Sequence, residues 1–189
     1  MPLTLNELYT QTKNQYHLSM IAGEAGIDHI MNWVYVSEDS STHDFLKGGE
    51  LIITTGINCQ DEASLYDFIE TMIKSHTCGI ILNTGKYILS EHITDSIRTL
   101  CDKHNYPLIE MPWQVHIYDI TRDYYNRIFM DTQKDTSITD AFLSFIEEDS
   151  LHHYDALRIL EDNHFEKEDC YEIALIKCNK KVISDDLKL

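Results

Sequence analysis

Three apolar runs, Leu51-Ile52-Ile53, Ile80-Ile81-Leu82 and Leu108-Ile109, recur at nearly even spacing, and each gap between them carries one helical stripe. Runs without polar alternation read as strands covered on both faces. In the first gap Leu65, Phe68, Ile69, Met72 and Ile73 fall at i, i+3, i+4, i+7 and i+8 behind Asp61, which is placed to cap a helix. In the second, Ile93, Ile97, Leu100 and Cys101 share a face behind Ser90, and Lys103-His104-Asn105 closes the helix ahead of Pro107. Strand, helix, strand, helix, strand at this spacing requires crossovers between parallel neighbours. The fold class is therefore α/β: a mainly parallel sheet flanked by helices, followed by a helical linker and the start of a second domain.

Around this centre the remaining elements follow from local signals. Thr4-x-x-Glu7 has the form of a capping box and opens a short helix with Leu5 and Leu8 inward. His17 to Ile21 and Met31 to Val36 read as strands, with Gly23 and Gly26 in the turn between them. Gly48-Gly49 launches the Leu51 strand and Thr54-Thr55-Gly56 closes it. From Val115 to about Lys134, Ile117, Ile120, Tyr124 and Ile128 keep to one helical face, widened by Tyr125 and Phe129. Ser137 is expected to cap a further helix through Ala141, Phe142, Phe145 and Ile146. Leu151, Tyr154, Leu157 and Leu160 suggest one more, and Tyr171 to Lys177 a strand. The division expected is residues 1–129 and 130–189.

Composition narrows the function classes. A hydrophobic fraction of 43% suits a packed core. The net charge is −17; residues 130–189 hold 15 Asp/Glu against 7 Lys/Arg, a balance of −8, which leaves −9 for residues 1–129. A surface acidic in both halves repels phosphate backbones and anionic lipid, so the chain by itself is expected to bind neither nucleic acid nor membrane. Five cysteines, with no C-x-x-C pair and no zinc spacing, together with the lack of a signal peptide or apolar span, point to a cytoplasmic protein with reduced thiols. Cys78 and Cys101 sit in apolar patterns and read as small core residues.

No nucleophile elbow and no dinucleotide fingerprint appear, and no cofactor or metal is expected. Gly79-Ile-Ile-Leu-Asn-Thr-Gly85-Lys86 differs from a phosphate loop: five residues separate the glycines, and Tyr87 follows the lysine where Ser or Thr belongs. Thr84, Gly85 and Lys86 leave room for a looser anion or carbonyl site. The ten histidines read as scattered surface groups. Glu38 and Glu50 border strands. As a pair they could do acid–base work or accept ligand N–H groups, and singly each could cap a turn or pair with Lys47 or Lys86. Trp113 could stack on a planar ligand or simply pack.

Gly23-x-x-Gly26, Trp33-Val34-x-Val36-Ser37-Glu38, Gly49-Glu50-Leu51-Ile52-Ile53-Thr54-Thr55-Gly56, Cys78-Gly79-Ile80 and Pro107-Leu108-Ile109-Glu110-Met111-Pro112-Trp113 occur in that order. The constellation resembles the N-terminal domain of the PucR (purine catabolism regulator) family of bacterial transcription factors over about residues 3–129. Tyr35 stands where many members carry His between the two valines. The resemblance implies a ligand-sensing module of a transcription regulator controlling purine or related nitrogen catabolism genes. It further implies a GGDEF-like middle domain, which residues 137–178 would begin, and a helix-turn-helix beyond it.

Ligands of open α/β sheets collect at the carboxyl ends of the strands. The candidate effector site is thus Glu38, Glu50, Thr54, Thr55, Gly56, Gly85 and Trp113, where Thr-Thr-Gly offers hydroxyls and free backbone N–H groups. The expected ligand is a small effector, with a purine-pathway metabolite the first choice. Two other readings stand beside it: a small-metabolite enzyme using Glu38 and Glu50, and a ligand-free oligomerisation module. A homodimer is expected through the Val115–Lys134 helix, with Ile117 and Ile120 on the sheet and Tyr124, Tyr125, Ile128 and Phe129 toward a partner helix.

Overall fold

The computed structural model describes residues 3–59, 61–146 and 153–165. They fall in two compact units, Met1–Asp135 and Thr136–Leu189. In the first, a five-stranded sheet has the order β1-β5-β4-β3-β2, with β1 Ser19–Ala22, β2 Trp33–Val36, β3 Glu50–Thr54, β4 Gly79–Thr84 and β5 Leu108–Pro112. β2 through β5 are parallel, as the apolar runs require, and β1 lies antiparallel to β5.

Side chains leave a strand alternately on its two faces, so each apolar run feeds two cores at once. Ile52, Ile80, Leu82 and Leu108 meet Leu65, Phe68, Ile69 and Met72 of α2 (Glu62–Lys74) and Ile97, Leu100 and Cys101 of α3 (Asp95–Lys103). Leu51, Ile53, Ile81 and Ile109 face α1 (Leu5–Thr12) and α4 (Ile117–Ile146) through Leu5, Leu8, Ile120, Tyr124 and Ile128. Each such Leu or Ile, fully buried, contributes about 1.5–3 kcal/mol. The helix starts are as the sequence signals: Thr4 and Glu7 close a capping box on α1, and Asp61 accepts the Ser64 N–H at 2.9 Å on α2.

Three features differ from the pattern. Ser90 does not cap α3. Ser90–His92 forms a 3-10 turn, because Ile93 must leave helical geometry (φ −87°, ψ 76°) to reach the core, and α3 starts only after Thr94. Ser137 likewise caps nothing new. α4 runs unbroken from Ile117 to Ile146, a stretch without Gly or Pro. Third, Tyr124 and Ile128 are not free for a partner helix. Tyr124 is 1% exposed, and its hydroxyl shares a 2.7 Å hydrogen bond with Thr12, while Ile128 joins the same core. Tyr125 lies half-buried against the edge strand, its hydroxyl donating to the Val34 carbonyl at 2.9 Å and its ring 4.9 Å from Trp33. Phe129 remains exposed.

In the second unit, Ala141 packs with Ala156 and Leu160 of α5 (His153–Asp162), and Phe142 meets Phe165 edge-on at 5.1 Å. The strand expected at Tyr171–Lys177, and with it residues 147–152 and 166–178 of the GGDEF-like stretch, lies outside the described residues. No helix among the described residues is long and apolar enough to cross a membrane.

Candidate functional site

At the carboxyl end of β2, the Ser37 N–H still pairs with the Ile53 carbonyl at 3.0 Å, which carries the register one residue past the strand. Glu38 is thereby aimed across the end of β3. Its carboxylate accepts the Thr54 hydroxyl at 2.9 Å, the Thr55 N–H at 2.9 Å and the Gly56 N–H at 3.0 Å. Three of the Thr-Thr-Gly donors that the sequence offers to a ligand, the Thr54 hydroxyl and the Thr55 and Gly56 N–H groups, are therefore not free. Glu38 fills them, with charge-assisted bonds of the strong kind. Gly56 sits at φ +68°, where a β-carbon would run into the Ile88 side chain, so the turn favours glycine.

Cys59 stands just beyond, its N–H on the Gly56 carbonyl. Burial first, then the charges of Glu38, Asp39 and Asp61, push its thiol up to about 11. At neutral pH it is a protonated core group and not a nucleophile.

The ends of β4 and β5 make a second polar group. The Thr84 hydroxyl donates to Glu110 at 2.6 Å, and the Ser90 hydroxyl reaches the same oxygen at 3.3 Å. The buried Asn83 amide donates to the Pro112 carbonyl at 3.1 Å. Gly85 turns the chain at φ +110°, and the Trp113 N–H closes on the Thr84 carbonyl at 2.7 Å. This folds Lys86 back so that its ammonium lies 4.8 Å from the Tyr87 ring centre and 4.7 Å from that of Trp113. The two rings meet edge-on at 5.7 Å. A cation held by two aromatic faces, with the Thr84 hydroxyl spent on Glu110, is not the anion cradle that Thr84, Gly85 and Lys86 left open.

Glu50 does not join either group. It begins β3, so it lies at the opposite edge of the sheet from Glu38, roughly 13 Å away along the strand at about 3.3 Å per residue. Its carboxylate accepts the Lys47 N–H at 2.7 Å and the Gly48 N–H at 2.9 Å, capping the turn that enters β3. An acid–base pair of Glu38 and Glu50 is excluded by this separation. The geometry thus brings together Glu38, Thr54, Thr55 and Gly56, sets Gly85 and Trp113 in the neighbouring group, and sends Glu50 to the far side.

Sequence reasoning missed Glu110, Asn83 and the Lys86–Tyr87–Trp113 group. A signal existed for the first: Glu110 is a carboxylate inside an otherwise apolar strand. None existed for the aromatic pair, whose members are far apart in the chain. Topology also removes an assumption. From β2 to β5 every step runs the same way across the sheet, and α2 and α3 consequently cover one face. The crevice of open α/β sheets forms where that direction reverses, and the parallel strands here contain no reversal.

A family model described as the purine catabolism regulatory protein-like family matches residues 7–128. A curated relative, the purine catabolism regulatory protein of Bacillus subtilis (strain 168), is 31% identical over 103 residues, which is 54% of this chain and 19% of the relative. The chain thus spans about a fifth of the length of that relative.

Proposed function

The chain belongs to the purine catabolism regulatory protein-like family, and from that membership we propose that it is the effector-sensing module of a bacterial transcription regulator. The genes it governs are those of purine or related nitrogen catabolism, and the effector is a small metabolite of that chemistry. The observation that carries the reading is the agreement of two limits: the family match ends at residue 128 and the α/β unit at Asp135. What is shared with the family is thus one folded body with its own two-faced core.

DNA contact is assigned to residues other than these. The net charge of −17 opposes a phosphate backbone, and no basic stripe lies along α4, the longest helix among the described residues. The protein is placed in the cytoplasm, where such a regulator acts. Its partner is a second copy of the chain, since regulators of twofold operators carry two. On α4 the exposed apolar side chains Tyr118, Phe129 and Met130 are the surface offered for it.

The enzyme reading has lost its carboxylate pair and finds no activated thiol at Cys59. A thermal-shift screen with hypoxanthine, xanthine and allantoin tests the proposal. A saturable rise in melting temperature with at least one of them is the expected result, and no shift with any at millimolar concentration counts against it.

A further inference from the structure

At the amino-terminal edge of the sheet, opposite the Glu38 group, lies a pocket of about 590 Å³. Its position follows from the topology. α2 and α3 both run back to this edge and end there, and the turns into β3, β4 and β5 complete the wall. Ile73 and Tyr106 form an apolar floor, and the Tyr106 hydroxyl is already spent on Thr77 at 2.7 Å. Ile30, 51% exposed, stands at the mouth as a large aliphatic group with nothing over it. Around it His29, His76 and His104 present three imidazoles. His29 reaches the Cys78 carbonyl at 3.3 Å, whereas the rings of His76 and His104 make no hydrogen bond to any described residue.

We propose that this pocket is the effector site, and that it takes a small, planar, uncharged heterocycle rich in N–H groups. The inference rests on the sensor reading above and moves the site from one edge of the sheet to the other. The volume lies in the range of small-molecule sites. The ligand class follows by elimination and by fit. A strong anion is disfavoured because α2 and α3 direct their carboxyl-terminal ends, with partial negative charge, toward the pocket. Its one lysine, Lys74, is held by Glu70 at 2.7 Å. Among the described residues no three His, Cys, Asp or Glu, these three imidazoles included, are placed to hold a metal ion together. A flat heterocycle satisfies each feature: its face covers Ile30 and Ile73, its edge exchanges hydrogen bonds with imidazoles that both donate and accept, and its ring N–H groups suit a site ringed by carbonyl ends. At the other edge Glu38 already takes the Thr54 hydroxyl and the Thr55 and Gly56 N–H groups.

The test is a titration of the 189-residue chain, 13C,15N-labelled at histidine, with the flat purines hypoxanthine and xanthine, followed through the imidazole signals and assigned by single His→Gln variants. Inorganic phosphate serves as the anionic probe. Saturable movement of the His29, His76 and His104 signals is expected with at least one heterocycle. His104→Ala and Ile30→Ser, both exposed positions, should each weaken that binding at least tenfold without changing the melting temperature of the free protein, and Thr55→Val should leave the affinity unaltered. Undiminished binding in both pocket variants overturns the pocket while leaving the sensor reading intact. Tighter response to phosphate than to any heterocycle overturns the ligand class. No saturable movement of any signal with any heterocycle defeats the pocket and the sensor reading together.

Discussion

The Glu38 carboxylate and the Gly56 backbone N–H, 18 residues apart in the chain, meet at 3.0 Å across the ends of two parallel strands. With Thr54 and Thr55 on the same carboxylate, Glu38 acts as an intramolecular substitute for a ligand and locks the β3–α2 turn. Glu38→Ala leaves the Thr54 hydroxyl and the Thr55 N–H without their acceptor, while the Gly56 N–H keeps the Thr54 hydroxyl oxygen at 3.0 Å, and should cost about 2–3 kcal/mol, with Glu38→Gln losing less because one acceptor oxygen remains. Urea unfolding measures this. A loss under about 0.5 kcal/mol for the alanine variant would mean that water replaces the carboxylate freely.

Gly23 sits at φ +69° with its missing β-carbon aimed at the Tyr106 carbonyl, a backbone atom that cannot rotate away. Gly56 points instead at the tip of Ile88. Gly23→Ala should therefore destabilise more than Gly56→Ala, and pairing Gly56→Ala with Ile88→Ala should recover part of the clash, though not the φ strain of about 1–2 kcal/mol. Thermal melts of the three variants give the order, and a Gly56→Ala variant worse than Gly23→Ala would contradict the packing described.

Much of the fold was legible because its signals are local or periodic. The unbroken Leu51, Ile80 and Leu108 runs announced covered strands, the Leu65–Ile73 stripe gave α2, and Thr4 with Glu7 gave the start of α1. The antiparallel seat of β1 beside β5 was not legible, since it depends on pairing between distant segments. The site was read less well than the fold. Glu38 and the Thr-Thr-Gly turn were singled out as a group and do meet, but periodicity cannot tell a carboxylate awaiting a ligand from one that has found its own backbone donors. Glu50 was misplaced because the pattern shows that a strand has two ends, not that successive motifs sit at opposite ones. The histidines of the pocket were invisible as a set: His29, His76 and His104 belong to three separate turns that only the crossovers bring to one edge.

On α4, burial separates neighbours. Ile128→Glu places a charge in the core with Leu5, Leu8 and Tyr124 and should cost at least about 3 kcal/mol. Phe129→Glu with Met130→Glu, at 62% and 70% exposure, should leave stability within about 0.5 kcal/mol. The double variant is also expected to weaken self-association in sedimentation velocity. A dimer indifferent to it would move the interface off this face.

Alkaline pH should unfold the protein in a defined window. Burial raises Cys59 from its ordinary 9.0 to about 11 and Cys101 to about 12, and burial with Asp123 raises Tyr16 from 10.0 to about 12. The folded state thus holds protons that the unfolded chain gives up. Stability is at its full value below about pH 9 and falls as pH rises toward 12. Denaturant midpoints measured from pH 7 to 11 should decline only above 9, and Cys59→Ser should flatten the first part of the fall. A decline already complete at pH 9 would show that these thiols are not desolvated.

The central claim, that this module senses a metabolite and does not transform it, is tested most directly by one calorimetric titration. Hypoxanthine, xanthine and allantoin are each titrated into the chain, and the ligand is then recovered and quantified by chromatography. Saturable heat with at least one ligand, recovered chemically unchanged after prolonged incubation, is the result the account requires. Turnover of the ligand, or no saturable heat with any of the three at millimolar concentration, would contradict it.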